Sequence, residues 1–328
     1  MSFDDIMAIQ PKDERFLTIL WQVNNWCNFK CTYCNTFSNG GDYKNNNKVD
    51  KSLEVFEDLI TTYQLKGINK FFLKITGGEP SMWNGTIPVI KKFNSLVSKQ
   101  NSRVSINTNL SRDISWWEEN YNLFDVVIGS YHSEFTDLDQ YLKVTQFLQD
   151  KVHLKTKIMM NKDSFEECID VAEKVKQLCN NYRIEYTPVL AELTSKVDPY
   201  YYEKQEHLDF FKTNSNENKI STAKEKDKFK MVKVTSDNKK SHVTDNQLVV
   251  ERKNTFLDWT CNIYENLFIS RDGDIKQSTC GLGKTIGNIF EGLTDNTLVP
   301  ITCKKTWCHC GVDIMNSKHR KEAQYDRI

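Results

Sequence analysis

The 328-residue chain lacks net charge: lysine plus arginine equals aspartate plus glutamate, at 44 each. Nothing in that total draws it toward nucleic acid or an anionic membrane surface, although a local patch can hide in a neutral sum. It also lacks a run of 18 apolar residues, and its opening, MSFDDIMAIQPKDERF, carries early acids where a secretion signal would carry an apolar core. A cytoplasmic protein without a membrane span is expected. No internal repeat is visible beyond an alternation of strand-like and helix-like runs.

Cysteine is what the chain does not lack: there are ten. In a reducing compartment they are expected as free thiols or metal ligands. Cys168 and Cys179 lie in DSFEECIDVAEKVKQLC, where Phe165, Cys168, Val171, Ala172, Val175, Leu178 and Cys179 recur with helical period, so core packing accounts for both. The other eight form two clusters, one near each end.

Six β-type runs alternate with amphipathic stretches such as SLEVFEDLITTY and IPVIKKFNSLVSK. They are FLTILWQV (16–23), FFLKIT (71–76), RVSIN (103–107), FDVVIGS (124–130), VHLKTKI (152–158) and RIEYTPV (183–189). Such alternation predicts an α/β fold with a parallel sheet, and six units suffice to curl it into a partial (β/α)6 TIM-like barrel. Chemistry in such barrels gathers at the C-terminal strand ends, which is where the first cysteine cluster falls. Between Lys212 and His242 nine lysines face four acids and apolar residues are few, which reads as a solvated linker or insertion. LFISRDGDIKQSTC reads as a hairpin turning at Asp272-Gly273.

The first cluster is WCNFKCTYC, with Cys27, Cys31 and Cys34. Asn24, Asn25 and Asn28 around it argue for a loop, which can bend thiolates inward around one metal centre. Structural zinc wants four closed ligands, and no fourth cysteine or histidine is near in sequence. A four-iron cluster on three thiols keeps one iron open.

The C-x3-C-x2-C spacing, with Tyr33 before its last cysteine and a strand ahead of it, resembles the radical S-adenosylmethionine superfamily. That resemblance covers residues 16 to about 190. It implies that the methionine moiety chelates the open iron and that an electron from the cluster cleaves the C5′–S bond. The resulting 5′-deoxyadenosyl radical then abstracts hydrogen from substrate. TGGEP is similar to the family's segment for the methionine amino group: Gly77 and Gly78 permit close approach, and Glu79 offers a carboxylate. NTNL is similar to the family's Thr-Asn-Gly with Leu110 in place of glycine, leaving Thr108 and Asn109 as nucleoside contacts or strand caps. GSYHSE resembles the family's Ser-x-Asp-Gly, so Ser130 would reach the ribose. His132 replaces the acid and is either a catalytic candidate or a structural histidine. Tyr33 would belong to the cofactor site.

CNIYENLFISRDGDIKQSTC (261–280) resembles the opening of SPASM and twitch extensions, and CKKTWCHC would complete the ligand set. Five cysteines are too few for two auxiliary clusters and enough for one. The implied ligands are Cys261, Cys280, Cys308 and Cys310, with Cys303 set aside, although spacing leaves open which of Cys303, Cys308 and Cys310 is spare. Zinc on four thiolates, with His309 able to join, is the structural alternative. The expected organisation is a radical domain over 14–205, a polar lysine-rich linker or insertion over 206–250, and a twitch-like domain over 251–328.

The resemblance implies an enzyme acting on an unactivated C–H bond, with a flavodoxin or ferredoxin as electron donor. No peptide-leader-binding domain can be fitted ahead of residue 16, which tilts the expectation toward net oxidation of a small or carbohydrate-like molecule. The alternatives are a peptide maturase that cross-links or epimerises, and a non-catalytic metal-binding or redox module. Nucleic acid is not expected as a partner.

Overall fold

The structure, a computed structural model, describes residues 6–34, 48–189, 202–214, 216–219, 231–245, 248, 253–295, 297–308 and 310–321. After β1 (Ile6–Pro11) and β2 (Phe16–Gln22), helices and strands alternate. They run α1 (Val49–Leu65), β3 (Lys70–Thr76), α2 (Thr86–Leu96), β4 (Ser102–Thr108), α3 (Ile114–Asn120), β5 (Val126–Tyr131), α4 (Leu138–Leu148), β6 (His153–Met160), α5 (Phe165–Leu178) and β7 (Tyr182–Pro188). Each of the six expected β runs is one of these strands.

The order β2-β3-β4-β5-β6-β7 is sequential and every neighbouring pair is parallel. Right-handed crossovers that always step the same way leave all their helices on one face of the sheet. Strand alternation sorts the side chains accordingly: Phe71, Leu73 and Ile75 of β3 are buried in the core, while Phe72 and Lys74 point the other way and are half-buried. The helices meet that core with single apolar stripes, Val55, Phe56, Leu59, Ile60 and Tyr63 in α1 and Phe165, Cys168, Val171, Ala172 and Val175 in α5. Cys168 and Cys179 are buried there, as their helical period requires.

Beyond β7 come α6 (Gln205–Thr213), β8 (Asn216–Lys219), β9 (Met231–Thr235), β10 (Lys240–Val243), β11 (Thr260–Cys261), β12 (Asn266–Ile269), β13 (Asp274–Gln277), β14 (Thr285–Asn288), β15 (Gly292–Leu293), β16 (Ile301–Thr302), α7 (Gly311–Ile314) and β17 (Lys318–His319). β8 borders β7, and β12 pairs in parallel with β2 and carries β13 to β15 with it, so the main sheet has eleven strands. β12 and β13 form the expected hairpin, with Gly273 at φ +94° in its turn.

A second sheet, β10-β9-β1-β17-β11-β16, ties the first strand to the last ones. The stretch read as a linker therefore supplies β9 and β10. Its few apolar residues explain why: Met231, Val232 and Val234 lie on β9 and are buried, and Met231 joins a small core with Ile6, Ile9, Phe256 and Trp259. No described helix is long and apolar enough to cross a membrane.

Candidate active site

Three chain segments leave neighbouring strands of the parallel sheet at their C-terminal ends and are knotted together by side chains. After β2, Asn24 is buried; its Oδ1 accepts from the Gly78 amide at 3.0 Å and its Nδ2 donates to the Glu79 carbonyl at 3.2 Å. The Glu79 amide donates to the Trp26 carbonyl at 2.8 Å. A Cβ at Gly77 would stand 2.5 Å from Asn24 Oδ1, so glycine is needed for this close approach. Gly77 and Gly78 thus lie directly against the start of the cysteine loop.

Glu79 is fully buried. Its Oε1 accepts from the Ser81 amide at 3.0 Å and the Thr108 hydroxyl at 2.9 Å, and its Oε2 from the Asn109 amide at 2.7 Å. Burial pushes its pKa above the usual carboxylate range, against the pull of these donors. The carboxylate therefore sets the position of Thr108 and Asn109. Asn109 Nδ2 then donates to Asn28 Oδ1 at 2.9 Å and approaches Cys27 Sγ at 3.8 Å, and Asn28 Nδ2 donates to Ser111 Oγ at 3.0 Å.

Leu110 adopts φ +57°, the left-handed conformation in which a glycine costs nothing and a leucine is strained. It is nonetheless buried, and a Cβ at Gly129 of β5 would stand 2.5 Å from its Cδ1. The leucine side chain occupies space that Gly129 leaves open, which accounts for its presence at a glycine-type position.

The fourth strand end braces the loop from the other side. Tyr33 Oη lies 3.0 Å from His132 Nδ1, with the two rings stacked at 6.0 Å, and Phe29 meets His132 edge-on. Burial lowers the His132 pKa to about 4, so the ring is neutral at pH 7. Glu134 accepts from the Thr32 amide at 2.7 Å and the Thr32 hydroxyl at 2.5 Å. Ser130 sits on the helix-free face of β5, in register with Lys157 of β6. Sequence reading missed Asn28, Ser111 and Glu134 as partners of the loop; their signal is positional, since each follows a strand end.

The thiols of this loop are half-buried or buried. Burial pushes Cys27 up to about 11 and Cys31 to about 12, and raises Cys34, and each of Cys27 and Cys31 feels the charge of Cys34. Cys27 Sγ accepts from the Phe29 amide at 3.3 Å, and the Cys34 amide closes a turn onto the Cys31 carbonyl at 3.0 Å. As placed, no three His, Cys, Asp or Glu side chains among the described residues stand close enough to hold one metal ion. The donor set nevertheless fits an iron-sulfur cluster: three soft sulfurs on one short loop, mutually repelling as thiolates, need a cationic centre to deprotonate.

At the other end, Cys261 lies on β11, Cys280 after β13, Cys303 after β16, and Cys310 caps α7. Cys308 is held by two hydrogen bonds to Asn254, each 2.9 Å. Burial pushes Cys261 to about 11 and Cys308 to about 12, while buried Lys318 pulls both down. Cys280 bears on both thiols, Cys303 on Cys261, and Cys310 on Lys74 of the main sheet. Beneath Cys280, buried Asp313 accepts from Ser278, Thr279 and Asn266, and Lys318 Nζ donates to the Asp313 carbonyl at 2.8 Å. His309 lies outside the described residues, and all ten cysteines are free of disulfides.

Residues 21–190, just over half of the chain, match the family model of the Radical SAM superfamily. GTP 3′,8-cyclase of Alkaliphilus metalliredigens (strain QYMF) is 32% identical over 85 residues, 26% of this chain and 25% of that protein. A probable GTP 3′,8-cyclase of Methanococcus aeolicus is 37% identical over 84 residues, 25% of this chain and 26% of that protein. The chain thus matches about a quarter of the length of these curated relatives. Among solved structures, native anSMEcpe with bound AdoMet and Cp18Cys peptide superposes with a TM-score of 0.51 at 16% identity, covering 85% of this chain and 79% of that one. This last likeness is one of fold alone.

Proposed function

The chain belongs to the radical SAM superfamily and is an enzyme; on that premise we propose that it removes hydrogen from a C–H bond of a small or carbohydrate-like molecule in a net two-electron oxidation. Membership sets aside the non-enzymatic module. On this reading Cys27, Cys31 and Cys34 hold a [4Fe-4S] cluster, and Tyr33, Gly77, Gly78, Thr108, Asn109 and Ser130 surround S-adenosylmethionine. When bound, the cluster supplies the electron that cleaves the C5′–S bond and frees the 5′-deoxyadenosyl radical.

The observation that carries this reading is the knot of Asn24, Asn28, Glu79 and Asn109, which fastens the cysteine loop to the ends of β3 and β4. Glu79 acts from beneath, holding Asn109 and Thr108 in place. His132, engaged with Tyr33, steadies the loop, and burial holds its ring in the neutral form at pH 7. Sequential parallel strands with helices on one face support the partial (β/α)6 barrel.

For residues 251–328 we propose a twitch-like unit with one auxiliary [4Fe-4S] cluster on Cys261, Cys280, Cys308 and one further thiol. That further thiol comes from Cys303 or Cys310, which follow β16 and cap α7. Four thiolates saturate the cluster, so its task is to accept the electron from a substrate radical. A low-potential flavodoxin or ferredoxin in the cytoplasm would reduce the first cluster. A peptide substrate is the second reading, favoured by the fold likeness to a protein solved with bound peptide.

The test is anaerobic turnover with reductant and S-adenosylmethionine on candidate substrates, followed by product mass and 5′-deoxyadenosine yield. One 5′-deoxyadenosine per product that is two hydrogens lighter supports oxidation. A product of unchanged mass that carries solvent hydrogen at carbon means epimerisation and sinks it.

A further inference from the structure

Between the helix-free face of the parallel sheet and the C-terminal region lies a cavity of about 150 Å³. Alternation along β3 turns Phe72 and Lys74 toward it, and Phe16, Met231 and Met315 make its walls partly apolar. Four charged residues border it, Lys74, Arg103, Asp245 and Glu265, and two of them are occupied. Glu265 is held by Arg15 at 3.3 Å and by the Ser317 amide at 2.7 Å. Arg103 lies 5.3 Å from the centre of the Phe72 ring and has a further partner of its own.

Lys74 and Asp245 are different. Among the described residues neither makes a hydrogen bond or an ion pair, with each other or with any other group; Lys74 has only the face of the Phe72 ring, 5.0 Å from its ammonium. A Cβ at Gly311, which also lines the cavity, would collide with Asp245 Oδ2, so the glycine is what gives the carboxylate its place on the wall. Burial lowers the pKa of Lys74 and the Asp245 charge raises it again, as for two opposite charges that share one poorly solvated space. Each lacks the partner that burial of an ion demands.

We propose that this cavity binds the zwitterionic head of an α-amino acid as substrate, with its carboxylate on Lys74 and its ammonium on Asp245. The inference rests on the proposed function, which makes this face of the sheet the substrate side, and it narrows the small molecule to one carrying both charges. The charges on the walls balance, two of each sign, and a ligand of no net charge leaves them balanced. A lone anion would face Asp245 and a lone cation Lys74. Neutral hydroxyls would leave both buried ions uncompensated. Size agrees: at ~30 Å³ for one liquid water the cavity takes about five non-hydrogen atoms, the size of an ammonium, an α-carbon and a carboxylate together. Lys74 stands two residues before the end of β3, ~7 Å beneath it, so the amino acid's side chain can extend toward the strand ends.

The experiment titrates cluster-loaded protein, kept saturated with S-adenosylmethionine, with each of the common L-amino acids and reads heat of binding. Saturable binding of at least one is expected, at least tenfold tighter than its decarboxylated amine and its deaminated acid. Lys74→Met should weaken the amino acid at least tenfold without weakening the amine, and Asp245→Asn should do so without weakening the acid, with iron content as the control for folding. No saturable binding of any amino acid by wild-type protein overturns the proposal without recourse to a variant, as does equally tight binding of the amine or the acid. S-adenosylmethionine carries an amino-acid head too, so binding seen only when it is left out reads the cofactor's own site and also overturns the proposal. The response of the reduced cluster spectrum to S-adenosylmethionine is read on the same wild-type sample. A normal response without amino-acid binding defeats this inference alone, whereas amino-acid binding without a response defeats the proposed function.

Discussion

The two cysteine groups are built differently. The first sits on a nine-residue stretch, and its surroundings come from the ends of three other strands through Glu79, Asn109, His132 and Glu134, with Asn24 of its own strand tied to the first of them. The second is spread over separate segments of the C-terminal region, where buried Lys318, hydrogen-bonded to the Asp313 carbonyl, bears on Cys261 and Cys308. A loop braced by polar strand-end groups can keep a coordination site open. Thiols drawn together from several short strands suit a closed site. The contrast is between thiols delivered by one braced loop and thiols delivered by several separate segments.

The largest effects should separate the two sites outright. Anaerobically reconstituted protein should hold about eight irons, and removing either thiol set should leave about four. Alanine at Cys27, Cys31 and Cys34 should abolish 5′-deoxyadenosine formation, while alanine at Cys261, Cys280 and Cys308 should spare some abortive cleavage. Zinc at the C-terminal site in metal analysis would break the comparison on one side only. At that site Cys303→Ala and Cys310→Ala, made singly, should differ, and the one that lowers iron content identifies the fourth ligand.

A smaller effect tests the brace. Glu79→Gln sets an amide donor against the Thr108 hydroxyl, the Ser81 amide or the Asn109 amide, whichever way it turns. It should cost about 1–3 kcal/mol in chemical denaturation and weaken S-adenosylmethionine binding, with the second site's iron retained. Unchanged binding would show that the knot does not shape the cofactor site.

Leu110→Gly relieves a left-handed leucine, worth about 1–2 kcal/mol, but vacates a buried side chain worth about 2–5 kcal/mol. The net expectation is a loss of about 1–3 kcal/mol, measured the same way. A gain in stability would mean that its packing against Gly129 contributes little.

The last effect is a pH slope, small at any one pH. His132 has its pKa lowered to about 4 in the fold from an ordinary 6.5, so the unfolded chain binds the proton first. Its contribution is complete above pH 6.5 and is lost as pH falls from 6.5 toward 4, at roughly 1 kcal/mol per pH unit at most. His132→Phe should flatten denaturation midpoints across that window.

The six strands were legible because each is a compact apolar run between amphipathic helices, and both core cysteines followed from helical period. The cysteine loop was legible because its spacing is local. Glu79 was legible as part of its segment but its three donors were not, since Thr108 and Asn109 follow a distant strand. β9 and β10 were hidden in a lysine-rich stretch because short strands need only a few buried residues, here Met231, Val232, Val234 and Val243. Lys318 and Asp313 carry no local pattern at all; contacts between remote segments create their roles.

The most direct measurement is the electron paramagnetic resonance spectrum of the reduced protein carrying alanine at Cys261, Cys280 and Cys308, recorded with and without S-adenosylmethionine. A single four-iron signal that shifts on addition is the expected result, because three thiolates leave one iron open in the first site. A signal that does not move, or no iron at all in this variant, would contradict the account.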